Sequence, residues 1–306
     1  MFAVVDIGSN SVKVLVAKIQ RGVVVPALNL SFVTRLGRGL DRNGCLSEES
    51  LEKTQKAFRA FHAQMSSLKV KKVEVVATEA VRVASNQDRV LQMVKDIFGV
   101  KLRVLKGHEE AHLSFMGAAQ VLKFDKLELK DAVFLDLGGA STEIGVLSPK
   151  EIFHSFPLGA VRAFEGLNLP SGVISDFIWE KKRNQLKKQL TKLGVEKLVK
   201  KIGKRKVAVV IGGTLMQAAR SSGAKESGES TYHTSLRDME IFCKSLRALS
   251  LNQRIRRYKV EKGRADILPA GILVIEECLK LLGMNEFYVT GLGLRHGVLS
   301  SSGSSS

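Results

Sequence analysis

The feature that most narrows the fold is a turn that occurs twice. Asp6-Ile7-Gly8-Ser9-Asn10-Ser11 ends the apolar run Phe2 to Ile7, and Asp136-Leu137-Gly138-Gly139-Ala140-Ser141 ends the apolar run Val133 to Leu137. Beyond each turn a strand pattern resumes, with Val12, Val14 and Val16 in one case and Glu143 to Leu147 in the other. A strand–turn–strand unit that recurs in this way marks an internal duplication, and it predicts two similar α/β domains facing each other across a cleft. With 306 residues the chain has material for two cores. The expected bounds are 1–124 with a C-terminal helix over about 294–306 for the first domain, and 125–293 for the second. The linker is expected near Phe124 to Lys130.

Between the turns the pattern alternates strand and helix. Val23 to Leu36 is a third β-rich stretch, and Ser47 caps a helix whose apolar stripe is Leu51, Phe58, Phe61 and Met65. Val73 to Ala77 reads as a strand, Asp88 to Phe98 as a helix stopped by Gly99, Lys101 to Leu105 as a strand and His108 to Val121 as a helix. In the second half, basic helices start near Ser175, followed by a strand at Val207 to Ile211 and a Gly/Ser-rich loop at Ser221 to Ser230. Helices follow beyond Ser235, then a strand at Phe287 to Thr290, and Ser300 to Ser306 reads as a frayed tail.

Composition enters through charge. Lysine and arginine total 48 against 30 acids, a net charge of +18. Two tracts carry most of the excess: Lys181 to Lys206 and Arg254 to Arg264. Such a bias speaks of partners, and two readings stand: a solvated helical face, or a track for a phosphate chain or nucleic acid. One Trp and three Tyr provide few platforms for stacked bases, which disfavours nucleic acid. No apolar run reaches the length of a membrane span, the first residues lack the pattern of a signal peptide, and three scattered cysteines make no disulfide framework. The chain therefore reads as cytoplasmic, with no membrane partner.

Each Asp-x-Gly-x-x-Ser turn places glycine where backbone must approach an anion, and offers N–H groups that can cradle phosphate oxygens. An aspartate at a strand end suits Mg²⁺, which takes one or two carboxylates plus substrate phosphates. Gly212-Gly213-Thr214 adds a third strand-end turn. His108-Glu109-Glu110-Ala111-His112 matches the zinc-protease pattern His-Glu-x-x-His, but the downstream glycine and histidine of the extended motif are missing. The alternative is that a carboxylate of this helix acts as a general base toward water.

Taken together, the two turns with Ala77 to Arg82, Gly107 to Ala111, Pro157 to Arg162, Ile211 to Thr214, Arg264 to Asp266, Pro269 to Gly271 and Gly293 to Gly297 resemble the exopolyphosphatase/guanosine pentaphosphate phosphohydrolase family. The resemblance runs from Phe2 to about Leu299. It implies two ribonuclease H-like domains of the actin/sugar kinase/heat-shock ATPase superfamily, in the short form without the additional helical domains of longer members. It implies Glu110 as the base that activates water, Arg82 as a phosphate-binding arginine, and Asp136 and Glu143 as metal-binding carboxylates. It further implies Gly8, Ser9, Asn10 and Ser11, and Gly138, Gly139, Ala140 and Ser141, as the two phosphate loops. The cofactor implied is Mg²⁺, or another divalent cation in its place. Dimerisation is a family-level expectation.

Two positions depart from the family pattern. Ala140 stands where a third glycine is usual, which raises the expectation of a tighter or slower loop if that residue needs a positive φ. Arg38 stands where an acid is usual. The function expected is hydrolysis of the terminal phosphate of inorganic polyphosphate. Its nearest rival is hydrolysis of guanosine pentaphosphate at the same site, and more distant rivals are a nucleotide-driven ATPase or kinase and a non-catalytic polyanion binder.

Overall fold

The computed structural model describes residues 1–20, 23–123, 126–228 and 230–303. The chain divides into two compact units, Met1–Gly117 with the segment from Leu294 onward, and Ala118–Gly293. The division thus falls at the end of a helix, ahead of the expected Phe124 to Lys130 linker, whose Phe124 and Asp125 lie outside the described residues.

Unit 1 opens with β1 (Phe2–Ile7), β2 (Ser11–Gln20) and β3 (Val23–Val33), an antiparallel meander. There follow α1 (Leu40–Asn43), α2 (Glu48–Ser66), β4 (Lys72–Ala77), α3 (Glu79–Val83), α4 (Asp88–Phe98), β5 (Leu102–Val104) and α5 (Gly107–Ala118). The sheet order is β3-β2-β1-β4-β5, with β4 parallel to β1 and β5 parallel to β4. Its core joins Val5, Ile7, Val12 and Val14 to Leu51, Phe58 and Phe61 of α2. Ser47 caps α2 by accepting from Ser50 N, and Gly99 ends α4 in the left-handed region, as the sequence indicates.

Unit 2 repeats that plan. β6 (Ala132–Leu137), β7 (Thr142–Val146) and β8 (Ile152–Phe156) form the meander. Then come α6 (Ala160–Gly166), α7 (Asp176–Leu193), α8 (Val195–Ile202), β9 (Val207–Ile211), α9 (Gly213–Ser222), β10 (Lys225–Glu226), β11 (Thr231–Ser235), α10 (Leu236–Arg247), α11 (Leu251–Tyr258), α12 (Leu268–Leu282) and β12 (Glu286–Thr290). The seven strands run β10-β11-β12-β9-β6-β7-β8. Here β9 lies parallel to β6 and β12 parallel to β9, so β8-β7-β6-β9-β12 repeats the order and directions of β3-β2-β1-β4-β5, with β11 and β10 added beyond β12. The fold is α/β, with one sheet per unit.

Three expectations change. The helix expected to Val121 ends at Ala118, and Ala119–Lys123 is a 3₁₀ turn. The Gly/Ser-rich loop holds the end of α9 and the short β10, with Glu229 outside the described residues. The tail is helical through Gly303 as α13 (Leu294–Gly303), because Leu294, Val298 and Leu299 pack on Val4 and Leu15; Ser304 to Ser306 lie outside the described residues. Among the described residues no helix is long and apolar enough to cross a membrane.

Candidate active site

The first turn is built by the register of β1 on β2, which pairs Ile7 with Val12 and closes with Gly8 N donating to Ser11 O at 3.1 Å. The second is built identically: Leu137 pairs with Thr142, and Gly138 N donates to Ser141 O at 3.0 Å. A Cβ on Gly8 would lie 3.2 Å from Ser11 O, and one on Gly138 3.1 Å from Ser141 O. Close approach is what demands glycine here, since neither residue has a positive φ. Nor does Ala140, so the methyl group in the third glycine's place brings none of the strain expected of it.

A second segment backs each turn and takes up its carbonyls. In unit 1, Asn10 O accepts from Thr34 N and Arg35 N, and Ser9 O accepts from Gly37 N at 2.7 Å. In unit 2, Ala140 O accepts from Gly159 N at 2.9 Å, Gly138 O from Ala160 N, and Gly139 O from Val161 N and Arg162 N. The Arg162 side chain adds a bond from Nη1 to Ala140 O at 2.9 Å. With the carbonyls held inward, the N–H groups of Ser9, Asn10, Gly139 and Ala140 have no backbone acceptor among the described residues. The buried Asn10 Nδ2 is likewise a donor without a hydrogen-bond partner. Rows of open donors of this kind form an anion-binding concavity. Gly37, Gly159 and Arg162 thus support the turns; the only sequence signal for them was that they fall in or beside the family-like motifs.

The strand-end aspartates differ in what faces them. Asp6 is the register partner of Lys13, which is followed across β3 by Ser31, and Asp6 Oδ2 lies 3.7 Å from Lys13 Nζ. Asp136 is the register partner of Glu143, which is followed across β8 by Ser155. Register partners project to one face, so unit 2 sets two carboxylates side by side. Glu143 is buried and accepts from Ser155 Oγ at 2.6 Å. Two hard oxygen donors, with no third histidine, cysteine or carboxylate beside them among the described residues, suit Mg²⁺ better than zinc, because Mg²⁺ completes its shell with water and substrate phosphates. The same holds against the His108 to His112 motif, which gathers no three-ligand cluster among the described residues.

Arg82 and Glu110 come together in unit 1. β4 and β5 are parallel with Ala77 opposite Val104, so α3 and α5 begin level with each other. Arg82 Nη1 donates to Leu105 O at 2.6 Å and lies 3.5 Å from Glu110 Oε2. Arg82 Nη2 lies 3.9 Å from Glu79 Oε2, adding a carboxylate that sequence reasoning left out, though it stands one helical turn before the arginine. Glu109 is otherwise committed. Burial works against its charge, but the Arg103 guanidinium bonded to it prevails and holds its carboxyl below the ordinary range. Glu110 is therefore the carboxylate of this helix that stands with Arg82.

At the Gly212 turn, a Cβ on Gly213 would meet Arg264 Nη1 at 2.6 Å, so the buried guanidinium of Arg264 lies over the start of α9. Glu261 holds its Nε at 2.7 Å. Arg254, in the same basic tract, is fully buried and donates to the carbonyls of Leu246, Ser171, Gly172 and Ala265. These two arginines serve the interior of unit 2, a correction to their reading as surface charge.

The family model for the Ppx/GppA phosphatase family matches residues 15–305. A guanosine-5'-triphosphate,3'-diphosphate pyrophosphatase of Aliivibrio fischeri is 32% identical over 168 residues, which is 54% of this chain and 33% of that protein. The chain thus matches about a third of that relative's own length. An exopolyphosphatase from Cytophaga hutchinsonii has the same fold, with a TM-score of 0.87 at 22% identity over 98% of this chain and 97% of that one. A Ppx/GppA family member from Aquifex aeolicus superposes with a TM-score of 0.75 at 26% identity, over 99% of this chain and 97% of that one. Motifs, duplicated sheets and a family match along nearly the whole sequence converge, and the chain belongs to the Ppx/GppA phosphatase family.

Proposed function

We propose that the protein hydrolyses the terminal phosphoanhydride bond of inorganic polyphosphate. The observation that carries this reading is the pair of turns in which the carbonyls of Ser9, Asn10, Gly138, Gly139 and Ala140 are taken up by a backing segment, leaving N–H donors open to phosphate oxygens. Phosphoryl transfer asks little covalent work of a protein and much positioning and charge stabilisation. Glu110 would accept a proton from water as its oxygen bonds to the terminal phosphorus. The bond from that phosphorus to the bridging oxygen breaks, and the shortened chain leaves with the electron pair. Arg82 and the open donors of the unit 1 turn would bind phosphoryl oxygens on which charge is spread, and the open donors of the unit 2 turn are suited to phosphate oxygens in the same way. Asp136 and Glu143 would hold Mg²⁺, which supplies charge neutralisation when bound. We place the reaction in the cytoplasm.

A second reading, hydrolysis of guanosine pentaphosphate by the same groups, draws support from the name of the Aliivibrio relative. The charge of +18 favours the longer polyanion. The test of the proposed chemistry is Glu110→Gln, which keeps shape while removing the base. Turnover should fall roughly 10²–10⁴-fold, the usual share of general-base catalysis, with polyphosphate binding retained. Turnover near that of the wild type would remove Glu110 from the mechanism.

A further inference from the structure

The basic residues from Lys181 to Lys206 divide into two kinds. Arg183 turns inward, with Nη1 at 2.8 Å from Glu277 Oε1 and Nη2 at 3.3 Å from Glu276 Oε2. Lys187 reaches Glu277 at 3.8 Å, and Lys206 reaches Asp131 at 3.1 Å. By contrast Lys181, Lys188 and Lys192 of α7 are exposed and make no ion pair among the described residues. The same holds for Lys197, Lys200 and Lys201 of α8. Glu196, the one acid in the tract, bonds Thr191.

Spacing makes the α7 lysines a single stripe. Seven and eleven residues after Lys181, at 3.6 residues per turn, Lys188 and Lys192 lie within about 20° of it around the helix. The stripe is about 16 Å long at the usual rise per residue. Like charges so aligned repel one another, and nothing in the packing of α7 requires them, since its buried face is Trp179, Leu186 and Leu190.

The stripe also has a direction. Leu236 N bonds Asn285 O, so α10 starts beside the beginning of β12 and runs back to Arg247. Arg247 O accepts from Ile174 N, just before α7. β12, β9 and β6 are parallel, and β9 and β6 end at the Gly212 and Gly138 turns. α7 therefore begins on the turn side of unit 2. Its far end continues through α8 to the start of β9, where Lys206 meets Asp131. The lysines lead away from the turns toward the opposite edge of the sheet.

We infer that the exposed lysine stripe of α7, continued by α8, is a docking surface for the distal part of a linear polyphosphate. The inference rests on the polyphosphate reading of the site. A flexible chain with one charge per unit matches a row of point charges without planar or stacking groups. Nucleic acid would call for a series of aromatic platforms, and α7 offers one exposed aromatic, Phe177.

The test is direct binding, which separates this inference from the chemistry. In the full-length Glu110→Gln chain, K181A/K188A/K192A is compared with its parent and with K69A/K71A/K101A, which removes equal charge from unit 1. Alanine favours helix, so α7 is retained, and the far-ultraviolet spectrum checks it. The α7 variant should bind long-chain polyphosphate at least about tenfold more weakly, and lose about two to three units from its log–log salt slope. Tripolyphosphate binding and the unit 1 variant should stay with the parent. Equal long-chain affinities, or an equal loss in the unit 1 variant, would overturn the inference. So would RNA bound through these lysines more tightly than polyphosphate. Stripe-dependent binding alongside a wild-type chain that releases no phosphate would uphold the docking surface while defeating the hydrolytic reading.

Discussion

The two units build one turn with two electrostatic outcomes. Across the first sheet the row reads Asp6, Lys13, Ser31; across the second it reads Asp136, Glu143, Ser155. In unit 1 the strand-end aspartate meets an ammonium group, and the pair is close to neutral on its own. In unit 2 it meets a carboxylate, an arrangement that costs free energy until a cation joins it. The duplicated fold has thus kept the donor-bearing backbone of the turn in both halves and paired two carboxylates in one. Geometry of the turn and charge of the row are separable, and each can be broken alone.

The largest effect should come from the charge of the row. Asp136→Asn removes a carboxylate of the proposed metal pair and should raise the Mg²⁺ concentration for half-maximal phosphate release by about tenfold or more. Asp6→Asn, whose partner is Lys13, should move that concentration by less than about threefold. Equal shifts for the two variants would erase the distinction between the units. Glu143→Gln should follow Asp136→Asn.

Next comes the backing of the turns. A Cβ on Gly159 would lie 2.4 Å from Gly139 C and 2.5 Å from Gly139 O, so Gly159→Ala must displace the second turn itself. A Cβ on Gly37 would meet Ser9 Cβ at 2.9 Å, a lesser intrusion on the first. Both substitutions overpack, at about 1–3 kcal/mol. The loss of kcat/KM should be larger for Gly159→Ala than for Gly37→Ala, and the reverse order would show that the first turn carries more of the phosphate binding.

The smallest effect is on stability, and its sign differs between the units. Burial, opposed by Arg183, pushes the Glu276 carboxyl of unit 2 up to about 7 from its ordinary 4.5. Between those values the folded state holds more protons than the unfolded chain, so unit 2 loses stability as pH rises through the window. Burial, with the Arg295 charge, pushes the His296 imidazole of unit 1 down to about 3 from 6.5. There the unfolded chain holds more protons, so unit 1 gains stability as pH rises from about 3 to 6.5. Thermal melts across this range should show opposed trends, flattened by Glu276→Gln in one unit and by His296→Gln in the other. Parallel trends would contradict the assignment.

The sequence displayed the sheets well because apolar runs and Gly/Ser turns are local signals. It hid β8, whose short Ile-Phe-His-Ser-Phe does not alternate regularly, and β11, whose Thr-Tyr-His-Thr-Ser is polar enough to pass for loop. It displayed Glu110 and Arg82 as motif members, but their contact follows from the level ends of β4 and β5, a long-range pairing. It could not sort the basic tracts. Arg254 is buried and Arg183 is partly buried against Glu277, whereas Lys188 and Lys192 are exposed, a difference set by the helix packing rather than by residue type. The concern over Ala140 came from the family pattern, and the backbone dissolves it, because that residue never enters the left-handed region.

We propose that these groups hydrolyse a terminal phosphoanhydride bond, with a linear polyphosphate as the preferred substrate. Phosphate release from long-chain polyphosphate, guanosine pentaphosphate and ATP, measured side by side with Mg²⁺, tests it most directly. The highest kcat/KM is expected on polyphosphate, a lower value on guanosine pentaphosphate and the lowest on ATP, all lost when Mg²⁺ is chelated. Preferred hydrolysis of ATP, or no phosphate released from any of the three, would contradict it.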